Sequence, residues 1–279
     1  TSDTTSPSVK ITIPLNASYV GGVVLIQANI SDNVDVYCVE FYINDTLIFT
    51  DYWPPLYEYV WDTTKWNDGA YMIKVIAYDS SGNSNHDAII ITVDNTAPYG
   101  EIISPEDRSY VRGVISVNIM GGDKNLYEIR LYINDTLVTT WTENGTYTYE
   151  WDTTQWADGE HAIRLEVEDL AGNLFATEIT VIVDNTPPTC EIESPAPGTL
   201  VSRMCQISVI VREANPDVAE LYINGSLAIR WYSAGQHTYT WDTTDYPDGF
   251  YIVKLIVRDK AGNTARAETS IMVDNTPPE

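Results

Sequence analysis

A strict internal period constrains this chain more than any other feature. The segment YINDTL occurs twice and returns once as YINGSL. Trp61, Trp151 and Trp241 each open a WDTT and lie 90 residues apart. Asp94, Asp184 and Asp274 each open a DNT at the same interval, and Gly82, Gly172 and Gly262 each open a Gly-Asn pair. Solenoid repeats of roughly 20–45 residues need their neighbours to bury a core. A unit of 90 residues is instead close to the ~100 residues of an autonomous sandwich. The spacing predicts three tandem domains, residues 1-95, 96-185 and 186-279. Pro7 to Pro98 spans 91 residues and Pro98 to Pro188 spans 90, which places one extra residue of copy 1 in the loop at 31–36.

Period-2 alternation dominates each copy, and helix-period segments are absent. In Val39-Glu40-Phe41-Tyr42-Ile43 the odd positions are apolar, so one face is core and the other solvent. Asn-Asp or Asn-Gly follows, residues that tolerate the positive φ of a tight hairpin turn. An aromatic strand carries Tyr57, Tyr59 and Trp61 on one face. After Asp68-Gly69, the residues Tyr71, Ile73, Val75 and Ala77 face inward, and the last strand turns Ile89, Ile91 and Val93 inward. Two strands precede these, near residues 9–13 and 23–28. About seven short strands with a turn every 8–12 residues is the pattern of an immunoglobulin-like sandwich. The expected fold is all-β: three tandem immunoglobulin-like β-sandwiches of about seven strands each.

The motif WDTTxWxDGxYxIxVxAxDxxGN…VxVDNTPP resembles the bacterial and archaeal Ig-like modules found in tandem in surface-layer proteins, adhesins and exported hydrolases. The resemblance covers all three copies and implies an extracellular or cell-surface location. It specifies a domain type and leaves function open, because fold does not imply function. The antibody frame of Cys…Trp…Cys is missing.

Fifteen basic against 40 acidic residues leave a net charge of -25. That argues against nucleic acid, which needs clustered Lys and Arg, and suits a salty or calcium-containing exterior. No apolar run approaches the ~18–20 residues of a membrane span.

The copies are joined by Asp94-Asn95-Thr96-Ala97-Pro98 and Asp184-Asn185-Thr186-Pro187-Pro188, with no Gly/Ser spacer. Short, Pro-stiffened linkers predict an extended, semi-rigid rod. The junction resembles that of cadherins, where acidic and Asn oxygens of successive modules hold calcium. Calcium takes 6–8 oxygen ligands, several of them carboxylates. The candidate ligands are Asp94, Asn95, Asp184 and Asn185 with the nearby turn residues Asp79 and Asp169, and Asp32 or Asp123 from the neighbour. Against this, Asp94 and Asn95 suffice to cap the last strand and set a turn. No cofactor is required; a structural calcium is the one metal the pattern suggests.

Sequons mark Asn16, Asn29, Asn44, Asn134, Asn144 and Asn224 as glycosylation candidates. Asn44, Asn134 and Asn224 are equivalent and fall on a hairpin tip, where the turn itself also favours Asn. Cys190 and Cys205 flank a turn near Gly198. They are expected to face each other across a hairpin, either bridged or as two reduced thiols. Cys38, on the polar phase of its strand, is expected as an exposed free thiol. WDTT reads as core plus turn, with Asp62 accepting backbone N–H bonds; a carbohydrate platform is the alternative. Trp66 and Trp156, just past that strand in a polar loop, are the candidate exposed contacts for a glycan.

The three histidines do not repeat and lack metal-ligand spacing. No nucleophile elbow, P-loop, dinucleotide fingerprint or zinc-protease motif occurs. The chain is expected not to be an enzyme. The leading expectation is a non-enzymatic extracellular structural protein or fragment in a surface layer, stalk or filament, whose partners are its own copies or neighbouring surface subunits. An adhesin or carbohydrate-binding module, and a spacer of an exported hydrolase, are the alternatives. The final Val273-Asp274-Asn275-Thr276-Pro277-Pro278 reads as the start of another junction and predicts that the array continues.

Overall fold

In each copy the alternating strands pair into one three-stranded and one five-stranded sheet, and every strand pairs within its own copy. The computed structural model describes residues 3–53 and 55–277. Residues 1, 2 and 54 of the first expected domain, and 278 and 279 of the third and of the last junction, lie outside the described residues. In copy 1 the smaller sheet sets Val23–Ser31 between Ser8–Ile13 and Tyr57–Asp62. The larger sheet runs Tyr19–Val20, Ser84–Val93, Gly69–Tyr78, Cys38–Ile43, Thr46–Asp51. Among the described residues there is no α-helix, only short 3-10 turns at Thr63–Lys65 and Thr153–Gln155. By compactness the chain resolves into two units, residues 1–103 with 118–147 and 163–178, and residues 104–117 with 148–162 and 179–279.

The period-2 reading predicts the core. Val39, Phe41, Ile43, Ile73, Val75, Ala77 and Ile91 are wholly buried, with Ile26 and Trp61 closing over them from the facing sheet. Copy 3 repeats this with Leu221, Val253, Leu255, Val257 and Trp241. The Asn-Asp and Asn-Gly tips turn with positive φ at both central residues, as at Asn44 (46°) and Asp45 (62°). The extra residue of copy 1 falls at 32–37. Ser8 pairs with Ser31 where Thr189 pairs with Arg212, an offset of 181, and Cys38 pairs with Tyr78 where Val218 pairs with Arg258, an offset of 180.

Among the described residues each copy has eight strands rather than about seven. The addition is a two-residue strand, Tyr19–Val20 in copy 1, running parallel to Thr92 and Val93. Two residues are too short to show alternation, so the sequence carries no period there.

That extra strand also overturns the expected disulfide. Leu200–Val201 crosses to the larger sheet, so Cys190 and Cys205 do not flank a simple hairpin. Cys190 faces Val211, and Cys205 faces Trp241 on the other side of the central strand. Six residues separate Val211 from Cys205 along that strand, about 20 Å at strand rise, against a disulfide limit of about 7 Å between Cα atoms. Both thiols are free. Cys38 is free but buried, not exposed: aromatic side chains cover the outer face of its strand.

Backbone strain falls on Ala17, Arg108 and Arg203, which hold positive φ without being glycine, asparagine or aspartate. Gly22 and Gly113 sit at φ of 68° and 65°, and their counterpart Arg203 holds 57°. The left-handed region costs a non-glycine residue roughly 1–2 kcal/mol, partly offset by glycine's larger unfolded-state entropy. The Arg203 side chain is exposed and its backbone makes the structural bonds. Arg203→Gly should therefore stabilise copy 3 by about 0.5–1 kcal/mol, read as a raised calorimetric midpoint of the full chain.

Candidate functional site

The repeated motifs converge at one end of each copy. Asp62 ends the aromatic strand and accepts from Thr64 N, closing the short turn. Thr63 is wholly buried, and its hydroxyl donates to Gly22 O (2.8 Å) and to Asn95 Oδ1 (3.0 Å). Asn95 also accepts from Gly22 N and returns its Nδ2 to Thr63 O (3.0 Å). Asp68 of the Asp-Gly turn accepts Asn95 N (2.8 Å) and the Thr96 hydroxyl (2.5 Å). Thr153, Asn185 and Asp158 repeat the lock in copy 2, and Thr243, Asn275 and Asp248 in copy 3.

These bonds favour the carboxylate form. The Thr96 hydroxyl above all, then Asn95 N, holds the Asp68 pKa below the ordinary 3.8. The Asn185 backbone does so first for Asp158, and the Thr276 hydroxyl first for Asp248. A depressed folded pKa contributes stability that is present above the unfolded value and lost as pH falls through the folded one. The thermal midpoint should drop as pH is lowered from ~4, and the triple Asp68, Asp158, Asp248→Asn variant should show a shallower acid limb.

Asp94 and Asp184, which open the first two DNT segments, turn the other way, towards the next copy. Asp94 O accepts from Asn173 Nδ2 (3.0 Å), and Asp94 Oδ2 accepts from Asn125 Nδ2 (2.5 Å). Asp184 is held identically by Asn263 Nδ2 (2.8 Å) and Asn215 Nδ2 (3.3 Å). Asp3 O meets Asn83 Nδ2 (3.1 Å) at the front of copy 1. Asn83, Asn173 and Asn263 are each aimed by an Asp four positions earlier: Asp169 accepts the Asn173 backbone N (2.8 Å) and Nδ2 (2.7 Å).

Three carboxylates meet at each joint. Asp94, Asp123 and Asp169 are all buried, with one oxygen of each within 4.8 Å of the others; Asp184, Glu213 and Asp259 form the same group, as do Asp3, Asp32 and Asp79. These nine residues are three equivalent positions. Two like charges at that distance repel by on the order of 3 kcal/mol at an effective dielectric of 20, a repulsion that a cation of oxygen-loving type would relieve. The donor set suits calcium or magnesium. Asp3 Oδ2 and Asp32 Oδ1 are moreover shut from solvent with no hydrogen-bond donor.

The expected ligands are thus redistributed. Asp94 joins Asp169, and Asp184 lies with Asp259. Asp79 does not share a joint with Asp94; it closes the cluster of Asp3 and Asp32, because the turn acid comes from the copy after the linker. Asn95 and Asn185 are not ligands: their carboxamides are spent on the lock within their own copy. Sequence reasoning missed Asp259, Glu213 and the donors Asn83, Asn173 and Asn263, although the period shows Asp-x-x-x-Asn in every copy.

Trp66 and Trp156 are not exposed contacts. Trp66 stands edge-on to Trp61 and Tyr71 at 5.5 Å each, and Trp156 to Trp151 (5.7 Å) and His161 (5.5 Å). They extend the core over the end of the sandwich. His161 reproduces the tyrosine it replaces. Its Nε2 meets Ala157 O (2.8 Å) as the Tyr71 hydroxyl meets Asn67 O (2.8 Å). Among the sequons, Asn44 and Asn224 sit on hairpin tips with Oδ1 accepting Met72 N and Ile252 N. Asn134 holds the same tip conformation, and Asn29 is exposed on its strand. Asn16 accepts Ile90 N, and Asn144 bonds Asp123 through both ends of its carboxamide.

The family model described as Bacterial Ig domain matches residues 7–75 and 98–165, and that described as Bacterial Ig-like domain (group 3) matches 145–226. No curated protein matches the chain in sequence. Among solved structures, an I-band fragment of titin aligns over 98% of this chain and 100% of its own at 11% identity and a TM-score of 0.50. The fibronectin(III)-like modules of Clostridium thermocellum CbhA align over 64% of this chain and 95% of theirs, at 20% identity and TM-score 0.48. A tetra-tandem repeat from the extending region of a large adhesion protein covers 97% of this chain and 74% of its own, at 17% identity and TM-score 0.39. At 11% identity the likeness to the titin fragment is one of fold alone.

Proposed function

Since this chain belongs to the bacterial Ig-like domain families, as tandem copies, we propose that it is a non-enzymatic extracellular structural protein or fragment. Its three sandwiches form a rod in a surface layer, stalk or filament, and calcium locks its joints. Domains of this class are typical of cell-surface or secreted proteins. The observation that carries the reading is the joint. In the first and second DNT the Asn is spent on its own copy, while the Asp is gripped by an Asn of the following one. A binding protein needs no such repetition at its linkers; a spacer that must hold its length does. The exterior hairpin tips at Asn44, Asn134 and Asn224 would carry glycans in a host that glycosylates.

Small-angle scattering tests both parts. A compact globule of 279 residues has a radius of gyration of about 19 Å; the rod should lie far above that, and a value near it removes the reading. Calcium present at 100 times its Kd should add about 2.7 kcal/mol of stability. Chelation should then lower the thermal midpoint and alter the scattering profile. If both are unchanged, the rod stands without calcium.

A further inference from the structure

Copy 1 carries a groove lined by aromatic rings and carboxylates. Its volume is about 520 Å³, and Tyr37, Tyr52, Tyr78, Cys38, Glu40 and Asp79 line it. Tyr37 and Tyr52 meet edge to face at 5.9 Å and are both more than half exposed. Glu40 lines the same groove, and its Oε2 accepts the Tyr42 hydroxyl (2.7 Å). That bond pushes the Tyr42 pKa up to about 12. Glu40 also raises the pKa of Tyr78, after burial, the larger cause. Among the described residues Glu40 has no cationic partner. The nearest cation on this face, Lys74, is paired to Asp45 (2.6 Å) and lies 5.2 Å from the centre of the Tyr42 ring.

The same face is neutralised from within in the other copies. Glu220, the counterpart of Glu40, is bridged by Arg230 from the adjacent strand at 2.7 Å. Arg258, the counterpart of Tyr78, pairs with Asp217 (2.9 Å). In copy 2 the counterpart of Glu40 is Arg130, paired with Glu128, Glu166 and Glu168. Copy 1 has Thr50 across from Glu40 where copy 3 has Arg230. The face that holds a guanidinium twice holds an open aromatic groove and an unpaired carboxylate once.

We infer that this groove is a binding site for an alkylammonium group, supplied by another molecule in the place that Arg230 occupies in copy 3. Aromatic faces attract a cation through their quadrupoles, and Glu40 supplies the counter-charge, its bond to Tyr42 fixing its orientation. Uncharged sugars can hydrogen-bond that carboxylate but bring no charge to offset it.

Calorimetric titration of the full chain at low salt tests this. The probes are Nα-acetyl-lysine amide, 1,4-diaminobutane and the uncharged methyl cellobioside. One or both amines should bind saturably with a stoichiometry of one. Glu40→Gln should weaken binding about tenfold or more, the scale of a charged hydrogen bond. Thr50→Arg, which installs the internal partner of copy 3, should weaken it as much with an unchanged melting midpoint. Tyr52→Ala, at an exposed position, should cost a few-fold. Tighter binding of the lysine amide identifies a protein side chain as the source of the group, and tighter binding of the diamine a free polyamine. Absence of saturable binding by both amines, equal binding of the glucoside, or unchanged binding in Glu40→Gln and Thr50→Arg overturns the site.

Discussion

Trp151→Ala should destabilise its copy by about 3–5 kcal/mol, the usual cost of emptying a buried aromatic site. Trp151 is 2% exposed and stands perpendicular to Trp156 and His161 at 5.7 and 5.8 Å. Truncation removes the transfer free energy of the indole and leaves a void between two sheets whose strands are fixed by pairing. A domain holds only about 5–15 kcal/mol in total, so the loss is a large fraction of the whole. Urea unfolding followed by circular dichroism measures it. Trp156→Ala, at a half-buried ring, should cost less, on the order of 1–2 kcal/mol. Were WDTT a ligand platform, both substitutions would leave the midpoint where it was; a loss below about 1 kcal/mol at Trp151 would restore that alternative.

Asn263→Ala should loosen the second joint and cost about 1–3 kcal/mol, the penalty of a buried acceptor left without a donor. Asn263 is 5% exposed, and its Nδ2 serves both Asp184 O and Asp259 Oδ2 at 2.8 Å. Alanine removes both bonds at once, and the carboxylates of Asp184, Glu213 and Asp259 lose a donor beside them. Amide exchange of the linker residues 184–189 should speed up, while the core of copy 3 stays protected, because the lock of Thr243 and Asn275 is untouched. Unchanged exchange in the linker would mean that the side chain does not hold the joint.

The two substitutions differ in how far the sequence alone could place them. Trp151 continues the parity of Tyr147 and Tyr149, and parity along one strand is enough to assign it to the core. The turns were legible for the same reason: Asn44 and Asp45 carry the positive φ that their residue types allow. Trp66 and Trp156 were misplaced because the loop holding them has no period, and only the fold of that loop back over the sandwich end buries them. The cysteines failed on a similar point. Cys190 and Cys205 are near in sequence, but a two-residue strand intervenes that no periodicity announces.

By itself the sequence determined what is local or repeated: the copy length, the inward face of each strand and the hairpin turns. Those follow from spacing, since a side chain's face in a strand depends only on counting by two. Tertiary structure alone decided the direction of each linker residue. In Asp94-Asn95 one carboxamide turns back to Thr63 and one carbonyl faces forward to Asn173, 79 residues away. It also decided that Glu40 stands unpaired where Glu220 meets Arg230. Those are matters of which distant groups arrive at the same place, and the register between strands sets them, not the order of residues along one.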